Sequence, residues 1–175
     1  MGFSAEVLVD LYKSLGPNIS GVEIGVCRGE NIKQLLDACP NIAKLYGIDP
    51  WEAYKDKLTI SANLANSWYS QATKLLHDYI VKERTSLIRG RSLDEVKKFL
   101  PETMDLVFID GNHSFDAALA DCKAWWPKVK AGGVLSGHDY RLKDHEVRLA
   151  VSEFAATKSL RVIDVQHLCW YIRKF

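Results

Sequence analysis

The stretch GVEIGVCRG, residues 21–29, begins as a β-rich run and stops at a glycine turn. Helical spacing resumes directly behind it, because the apolar residues Ile32, Leu35 and Leu36 share one face between residues 31 and 39. A strand, a glycine turn and a helix in this order form the first unit of a fold in which strands and helices alternate.

The alternation continues along the chain. Further strands are expected at residues 45–49, 86–89, 104–110 and 133–137, and helices at residues 7–15, 59–82, 93–100, 115–129 and 146–157. The run MDLVFID at residues 104–110 is the strongest strand, and its apolar character between Pro101 and Gly111 predicts a place at the centre of the sheet. Ser92 is expected to cap the helix that follows it, with Glu95 three residues on.

The C-terminal part predicts how the sheet closes. A glycine pair at residues 132–133 is expected to form a turn before the fifth strand. Strands at residues 161–165 and 168–172 are separated by only two residues, so they must be antiparallel neighbours. We therefore predict an α/β fold in one domain, residues 1–175. Its Rossmann-like, seven-stranded sheet is mostly parallel, has helices on both faces and ends in an antiparallel strand pair.

Composition and charge give no sign of a nucleic-acid-binding, membrane-bound or secreted protein. Lys and Arg total 23 against 22 for Asp and Glu, so the net charge of +1 gives no strong signal for nucleic acid or an anionic membrane. No apolar run approaches the roughly 20 residues of a membrane span, and the N-terminal residues do not resemble a signal peptide. Four scattered cysteines without a C-x-x-C pair are typical of reduced thiols, which favours a cytoplasmic location.

Polar residues follow the predicted strands at their carboxyl ends. They are Gly25 to Gly29, Asp49, Arg91, Ser92, Asp110, His113, His138 and Asp139. In open α/β sheets ligands bind at this edge, where the winding of the chain reverses. These side chains are therefore expected to converge on one site.

The first turn lacks the G-x-G-x-x-G spacing that binds a dinucleotide pyrophosphate. Instead, Glu23, Gly25 and Gly29 match a Glu/Asp-x-Gly-x-Gly-x-Gly loop, with Cys27 at the middle glycine position. With this loop the chain resembles the class I S-adenosylmethionine-dependent methyltransferases. That resemblance implies a seven-stranded sheet with an antiparallel last strand, in agreement with the pattern of elements.

Two further motifs narrow the resemblance. IDGNHSF at residues 109–115 and GGVLSGHDY at residues 132–140 are similar to the I-D-G-x-H-S-[FY] and G-G-V-L-x-G-H-D-Y motifs of a subgroup of small O-methyltransferase-like domains. The resemblance spans about residues 21–175. The cofactor it implies is S-adenosylmethionine, and the acceptor a small molecule or a sugar, through a hydroxyl.

The resemblance implies a set of cofactor-binding residues: Glu23, Gly25, Gly29, Asp49, Trp51, Arg91, Ser92 and Asp110. Glu23 would hold the amino group of the methionine portion, and Asp49 the ribose hydroxyls. Trp51 would stack on the adenine, with packing in the core as an equal alternative. Arg91 and Ser92 would border the same ring.

The residues at the reaction end allow two interpretations. In related metal-dependent O-methyltransferases, residues that match Asp110, His138 and Asp139 hold magnesium. His138 replaces an aspartate of those relatives, so the site favours a softer divalent metal, such as manganese, iron or zinc, or holds none. His113 and Asp110 are the catalytic candidates, with His113 as general base or, alternatively, as a residue that fixes the loop.

Two other functions stay open at this point. One is a nucleotide-binding oxidoreductase, against which the glycine spacing counts. The other is a catalytically idle module that binds the cofactor but methylates nothing. The chain shows no appended acceptor domain, which indicates a small or loosely held acceptor or a pocket completed by a second copy in a homo-oligomer.

Overall fold

A seven-stranded sheet forms the centre of the structure, a computed structural model in which residues 6–55, 59–141 and 146–175 are described. Its strands are β1 (Ile19–Ile24), β2 (Ile42–Asp49), β5 (Thr85–Arg89), β6 (Met104–Ile109), β7 (Val129–Gly137), β8 (Ile163–Asp164) and β9 (Trp170–Arg173). Two short strands, β3 (Tyr54–Lys55) and β4 (Thr59–Ile60), pair separately as an antiparallel ribbon that the sequence did not predict.

The strand order is β5-β2-β1-β6-β7-β9-β8. The first five of these strands are parallel, whereas β9 is antiparallel to both β7 and β8. The predicted mostly parallel sheet with its antiparallel C-terminal pair is confirmed, and β6 lies at its centre as expected. The winding reverses between β1 and β6, so the carboxyl ends of these strands mark the place where such folds bind ligands.

Helices cover both faces of the sheet. They are α1 (Val9–Lys13), α2 (Glu30–Ala38), α3 (Ala62–Leu75), α4 (His77–Val81), α5 (Ser92–Glu95), α6 (Phe115–Trp125) and α7 (Glu146–Ala156). Side chains of β6 alternate between two cores: Val107 and Ile109 pack with α6 and α7, and Leu106 and Phe108 with α1, α2 and α3. Strand β6 is therefore buried on both sides, which explains its continuous apolar sequence.

The expected helix at residues 59–82 is divided. Residues Thr59 and Ile60 belong to β4, and the hydroxyl of Ser61 then accepts the amide of Leu64 and caps α3. Helix α3 ends at Leu75, and the next residue, Leu76, packs a fully buried side chain into the core before α4 begins. The apolar spacing of this segment continues through both helices, so periodicity alone does not reveal the division.

Two local predictions are wrong. Ser92 is the first residue of α5 rather than its cap; Arg91 takes the cap position with an extended backbone. The hydroxyl of Ser92 instead donates to Asp121 at 2.5 Å and accepts the indole N–H of Trp125 at 2.7 Å. The predicted turn at residues 132–133 lies within β7, where both glycines pair with Lys174 beyond β9.

Further features agree with the sequence. The four cysteines carry thiols and form no disulfides, and three of them are buried. None of the helices in the described part of the chain combines the length and the apolar character that a membrane span requires.

Candidate active site

The glycine loop between β1 and α2 is a tight turn whose backbone permits little variation. Gly25 has a φ of +87°, and a Cβ atom placed there would lie 2.0 Å from the carbonyl oxygen of Asp110. Gly29 has a φ of +83°, and its amide closes the turn on the carbonyl of Val26. Cys27, at the position of the middle glycine, also has a positive φ of +51°. The loop therefore lies directly against the end of β6.

Asp49, at the end of β2, fixes this loop through three backbone amides. Its Oδ2 accepts the amides of Val26 at 3.0 Å and Cys27 at 2.9 Å. Its Oδ1 accepts the amide of Trp51 at 2.8 Å. Backbone amides that share one carboxylate are charge-assisted donors, so Asp49 determines the shape of the loop.

Glu23 carries a carboxyl group buried near the carboxyl end of β1, with only 1% of its surface exposed. Burial raises its pKa well above the usual range, while a 2.7 Å hydrogen bond from Asn31 Nδ2 to Oε2 opposes this effect. The nearby charges of Asp110 and Asp49 raise the pKa further. A cationic group brought to this carboxyl would favour its charged form, which is the interaction the sequence predicted for Glu23.

Trp51 lies beneath the glycine loop and is 2% exposed. Its indole nitrogen donates to the carbonyl of Cys27 at 2.8 Å, and its ring centroid is 4.8 Å from that of Tyr69. These contacts favour the core interpretation of this tryptophan. Stacking on an adenine stays a prediction.

The other two residues predicted near the adenine differ in orientation. Arg91 is exposed and donates from Nε and Nη2 to Oε1 of Glu52, at 2.9 and 2.7 Å. The Ser92 hydroxyl is turned inward to Asp121 and Trp125 rather than toward the rim. Burial raises the pKa of Asp121 to about 6, and the bond from Ser92 opposes this.

Carboxylates and imidazoles meet where β6 and β7 end. His113 Nε2 lies 2.8 Å from Asp139 Oδ2 and 3.8 Å from Asp110 Oδ1. On the other side, His138 Nδ1 lies 3.1 Å from Asp139 Oδ1 and 3.9 Å from Asp110 Oδ1. The structure thus brings all four residues of the predicted reaction end together, with Asp139 between two imidazoles.

The charges of this group depend on one another. The carboxylates of Asp110 and Asp139 raise the pKa of His113 to about 10, so its imidazole is protonated at neutral pH in the protein alone. Burial lowers the pKa of His138, but Asp139 and Asp110 outweigh that effect and the net shift is upward. Although burial opposes it, the two imidazoles hold the pKa of Asp139 well below its usual range.

Three residues of this cluster could hold a cation, and one of them, His113, was not in the predicted set of metal ligands. In the described part of the chain, Asp110, His113 and Asp139 offer ligand atoms that all lie within 4.8 Å of one another. His138 was predicted as the third ligand, but its Nδ1 is directed at Asp139 and its ring also bonds to the backbone of His167. His113 is therefore a further candidate ligand beside the predicted His138, and the metal site itself stays a prediction.

The sequence prediction did not include three residues of this region: Asn31, Glu52 and Asp121. Asn31 lies in the first turn of α2, where its amide reaches Glu23. Glu52 lies three residues beyond Asp49, and Asp121 lies on α6. Only Glu52 carried a signal in the sequence, because an acidic residue just past a strand end is placed at the ligand-binding edge.

Comparisons with known proteins identify the family of the chain. The chain matches a family described as a methyltransferase domain over residues 22–140. An uncharacterized protein of Acanthamoeba polyphaga mimivirus is 24% identical over 124 residues, which are 71% of this chain and 52% of that protein. The chain thus spans about half the length of this relative.

Solved structures share the fold. A Corynebacterium glutamicum protein superposes with a TM-score of 0.71 at 18% identity, over 99% of this chain and 83% of that one. The O-methyltransferase NovP superposes with a TM-score of 0.67 at 18% identity, over 95% and 78% of the two chains. The O-methyltransferase TomG from Streptomyces achromogenes, solved with S-adenosylmethionine, gives 0.64 at 18% identity, over 98% and 79%. By the family match over most of its length, the chain belongs to the methyltransferase domain family.

Proposed function

We propose that this protein transfers a methyl group from S-adenosylmethionine to the hydroxyl of a small molecule or a sugar. One observation carries the proposal. The glycine loop, residues 25–29, lies next to the cluster formed by Asp110, His113, His138 and Asp139. A side chain at Gly25 would collide with the carbonyl of Asp110, the residue that begins the reaction end. A donor on the loop would therefore present its reactive end to Asp110 and its neighbours, as an in-line transfer requires.

The donor's methionine portion fits the loop. The positive φ angles of Gly25 and Gly29 give the loop its tight turn, and the buried carboxyl of Glu23 suits an ammonium group. Asp49 faces the same edge and is placed to accept a ribose hydroxyl. Arg91 and the backbone of Ser92 border the space expected for the adenine.

The acceptor hydroxyl is placed at Asp110, His113 and Asp139. NovP and TomG, which share the fold, are O-methyltransferases, and this supports oxygen as the accepting atom. His113 is 47% exposed at its side chain and lies on the open side of the two carboxylates, within reach of an incoming hydroxyl. We assign His113 as the proton acceptor and Asp110 as its partner.

A divalent metal fits the donor set. Two carboxylates and one imidazole within 4.8 Å combine hard oxygen ligands with a nitrogen ligand that manganese, iron or zinc accept more readily than magnesium. A metal held by these residues would lower the pKa of an acceptor hydroxyl. His113 Nε2 lies beside both carboxylates, so His113 would be either a ligand of the metal or the proton acceptor, but not both at once. As the proton acceptor it must first lose the proton that Asp110 and Asp139 stabilise.

Isothermal titration with S-adenosylhomocysteine tests the cofactor class, with NAD as the control ligand. Micromolar binding of the first compound and none of NAD supports the proposal. Binding of NAD alone would instead support an oxidoreductase, and binding of neither would refute the assignment. Repeating the titration with chelator and with Mn²⁺ shows whether the metal takes part.

Methyl transfer itself is measured with S-adenosylmethionine labelled in its methyl group. A panel of catechols, phenols and sugars serves as acceptors, with Mn²⁺, with Mg²⁺ and with chelator. A labelled product that wild type forms and His113→Gln does not form supports the proposed chemistry. If S-adenosylhomocysteine binds but no acceptor is labelled, the protein is a cofactor-binding module.

A further inference from the structure

Asp49 has little capacity left for a ribose. A carboxylate offers about four acceptor positions. Three are taken by the amides of Val26, Cys27 and Trp51, two of them on Oδ2 and one on Oδ1. A ribose presents two neighbouring hydroxyl donors, so Asp49 has about one position for two donors.

A second carboxylate lies at the same edge of the sheet. Asp49 is paired in register with Arg89 of the neighbouring strand β5. Three residues beyond Asp49 and two residues beyond Arg89, the side chains of Glu52 and Arg91 meet. This contact therefore bridges the carboxyl ends of β2 and β5, beside the glycine loop.

Glu52 retains a carboxylate oxygen that can accept a hydrogen bond from a ligand. Arg91 directs both of its donors, Nε at 2.9 Å and Nη2 at 2.7 Å, to the single oxygen Oε1. Oε2 has no hydrogen bond to any residue for which the structure gives a placement. The side chains of Glu52 and Arg91 are 44% and 70% exposed, so the carboxylate is open to an incoming ligand.

The pair with Arg91 prepares Glu52 for binding. A glutamate side chain loses rotamer freedom when it is ordered, and the two donors of Arg91 hold the carboxylate before any ligand arrives. An exposed pair of this kind contributes little to stability, so its removal leaves the fold intact.

We propose that Glu52 accepts the second ribose hydroxyl of the adenosyl group, so that Asp49 and Glu52 divide the ribose between them. This inference rests on the proposed function, because it requires an adenosyl ligand at this edge. Asp49 then has two roles, since it shapes the loop and accepts one hydroxyl. Glu52 acts in binding alone.

The test compares two ligands on three proteins by isothermal titration. The ligands are S-adenosylhomocysteine and its 2′,3′-dideoxy analogue, and the proteins are wild type, Glu52→Gln and Glu102→Gln. Glu102 is the matched control, because its side chain is also exposed, at 63%, and pairs with a basic residue, Lys174, at 3.1 Å, but it precedes β6 at the opposite edge of the sheet. The melting temperature of each variant is measured in parallel.

Glu52→Gln is expected to bind S-adenosylhomocysteine at least about tenfold more weakly than wild type. Its affinity for the dideoxy analogue and its melting temperature should equal those of wild type, and Glu102→Gln should match wild type throughout. Equal affinities of Glu52→Gln and wild type for S-adenosylhomocysteine would overturn the inference alone, as would an equal loss for both ligands. Failure of the wild type to bind S-adenosylhomocysteine would overturn the proposed function and the inference together.

Discussion

The two halves of the candidate site are held together by different forces. The donor side consists of Glu23, the glycine loop at residues 25–29 and Asp49, and backbone amides fix its shape. The acceptor side consists of Asp110, His113, His138 and Asp139, where side-chain carboxylates contact side-chain imidazoles. Main-chain geometry tolerates few substitutions, whereas charge contacts respond to pH and to cations. The donor side is therefore expected to keep one conformation, whereas the charges of the acceptor side are expected to change with pH and with bound cations.

Two buried carboxylates show the same contrast. Asp121, behind Ser92, is 6% exposed, and Asp139 is 8% exposed. Burial raises the pKa of Asp121 to about 6, because its described partner is a neutral hydroxyl. Burial acts on Asp139 in the same direction, but two imidazoles reverse the shift. Partners, rather than depth of burial, determine which of these groups carries charge.

The largest effect is expected from Gly25→Ala on the donor side. Its methyl group would meet the carbonyl oxygen of Asp110 at 2.0 Å, at a φ of +87°. We expect the free energy of unfolding in urea to fall by about 4 kcal/mol or more. Gly16→Ala is the control, because Gly16 has a φ of +99° and no atom within 4 Å of the added group, so only about 1 kcal/mol is expected. Equal losses would show that the approach to Asp110 does not constrain the loop.

Asp49→Asn is expected to be next in size. The variant lacks the charge that three amides share, and one of its two side-chain atoms becomes a donor that faces donors. We expect a loss of about 2 to 4 kcal/mol in the free energy of unfolding, together with weaker binding of S-adenosylhomocysteine. Asp105→Asn is the control, since Asp105 accepts the amide of Ser20 at the other end of β1. It should lose stability and keep the affinity; if both variants keep the affinity, Asp49 does not serve the ligand.

Asp121 predicts a pH dependence of stability. Its pKa is raised from 3.8 to about 6 in the folded protein. The folded state therefore binds the proton more tightly than the unfolded chain, so this stabilisation is complete below pH 3.8 and is lost as the pH rises through 6. The free energy of unfolding of wild type relative to Asp121→Asn should fall by about 2 to 3 kcal/mol between pH 4 and 7. Parallel curves for the two proteins would contradict the prediction.

The smallest effect concerns His113, measured with chelator present. Its pKa is raised from 6.5 to about 10, so the stabilisation is complete below pH 6.5 and is lost as the pH rises through 10. Because the side chain is 47% exposed, solvent screens the contact, and we expect about 1 kcal/mol or less. The advantage of wild type over His113→Gln in urea unfolding should shrink between pH 7 and 10. A constant difference would show that Asp110 and Asp139 do not hold the proton there.

Sequence patterns predicted the elements well where a single period dominates. The apolar run at residues 104–110 predicted a strand at the centre of the sheet, and β6 is such a strand, buried on both sides. The segment at residues 59–82 was harder, because the apolar spacing continues across the division at Leu76. Serine is a common helix cap, but several residues of this segment could cap a helix. Ser61 caps α3 because β4 ends at Ile60, directly before it.

The orientation of polar side chains was less accessible. Ser92 has the sequence of a helix cap, yet its hydroxyl bonds to Asp121 and Trp125, which are 29 and 33 residues away in the chain. The acceptor side shows the same limit. The sequence predicted His138 as the imidazole of a metal site, whereas both His138 and His113 lie near Asp110 and Asp139, and no spacing rule distinguishes the two histidines.

The sequence by itself determined the alternation of strands and helices, the antiparallel end of the sheet and the edge at which polar residues gather. Each of these follows from apolar periodicity and from connection lengths, which are local properties of the chain. Only the tertiary structure decided which partner each polar group takes: Asp49 with the loop amides, Glu52 with Arg91, His113 with Asp139. Hydrogen bonds and charge contacts act over about 3 Å, and residues far apart in sequence come within that distance only when the sheet has assembled.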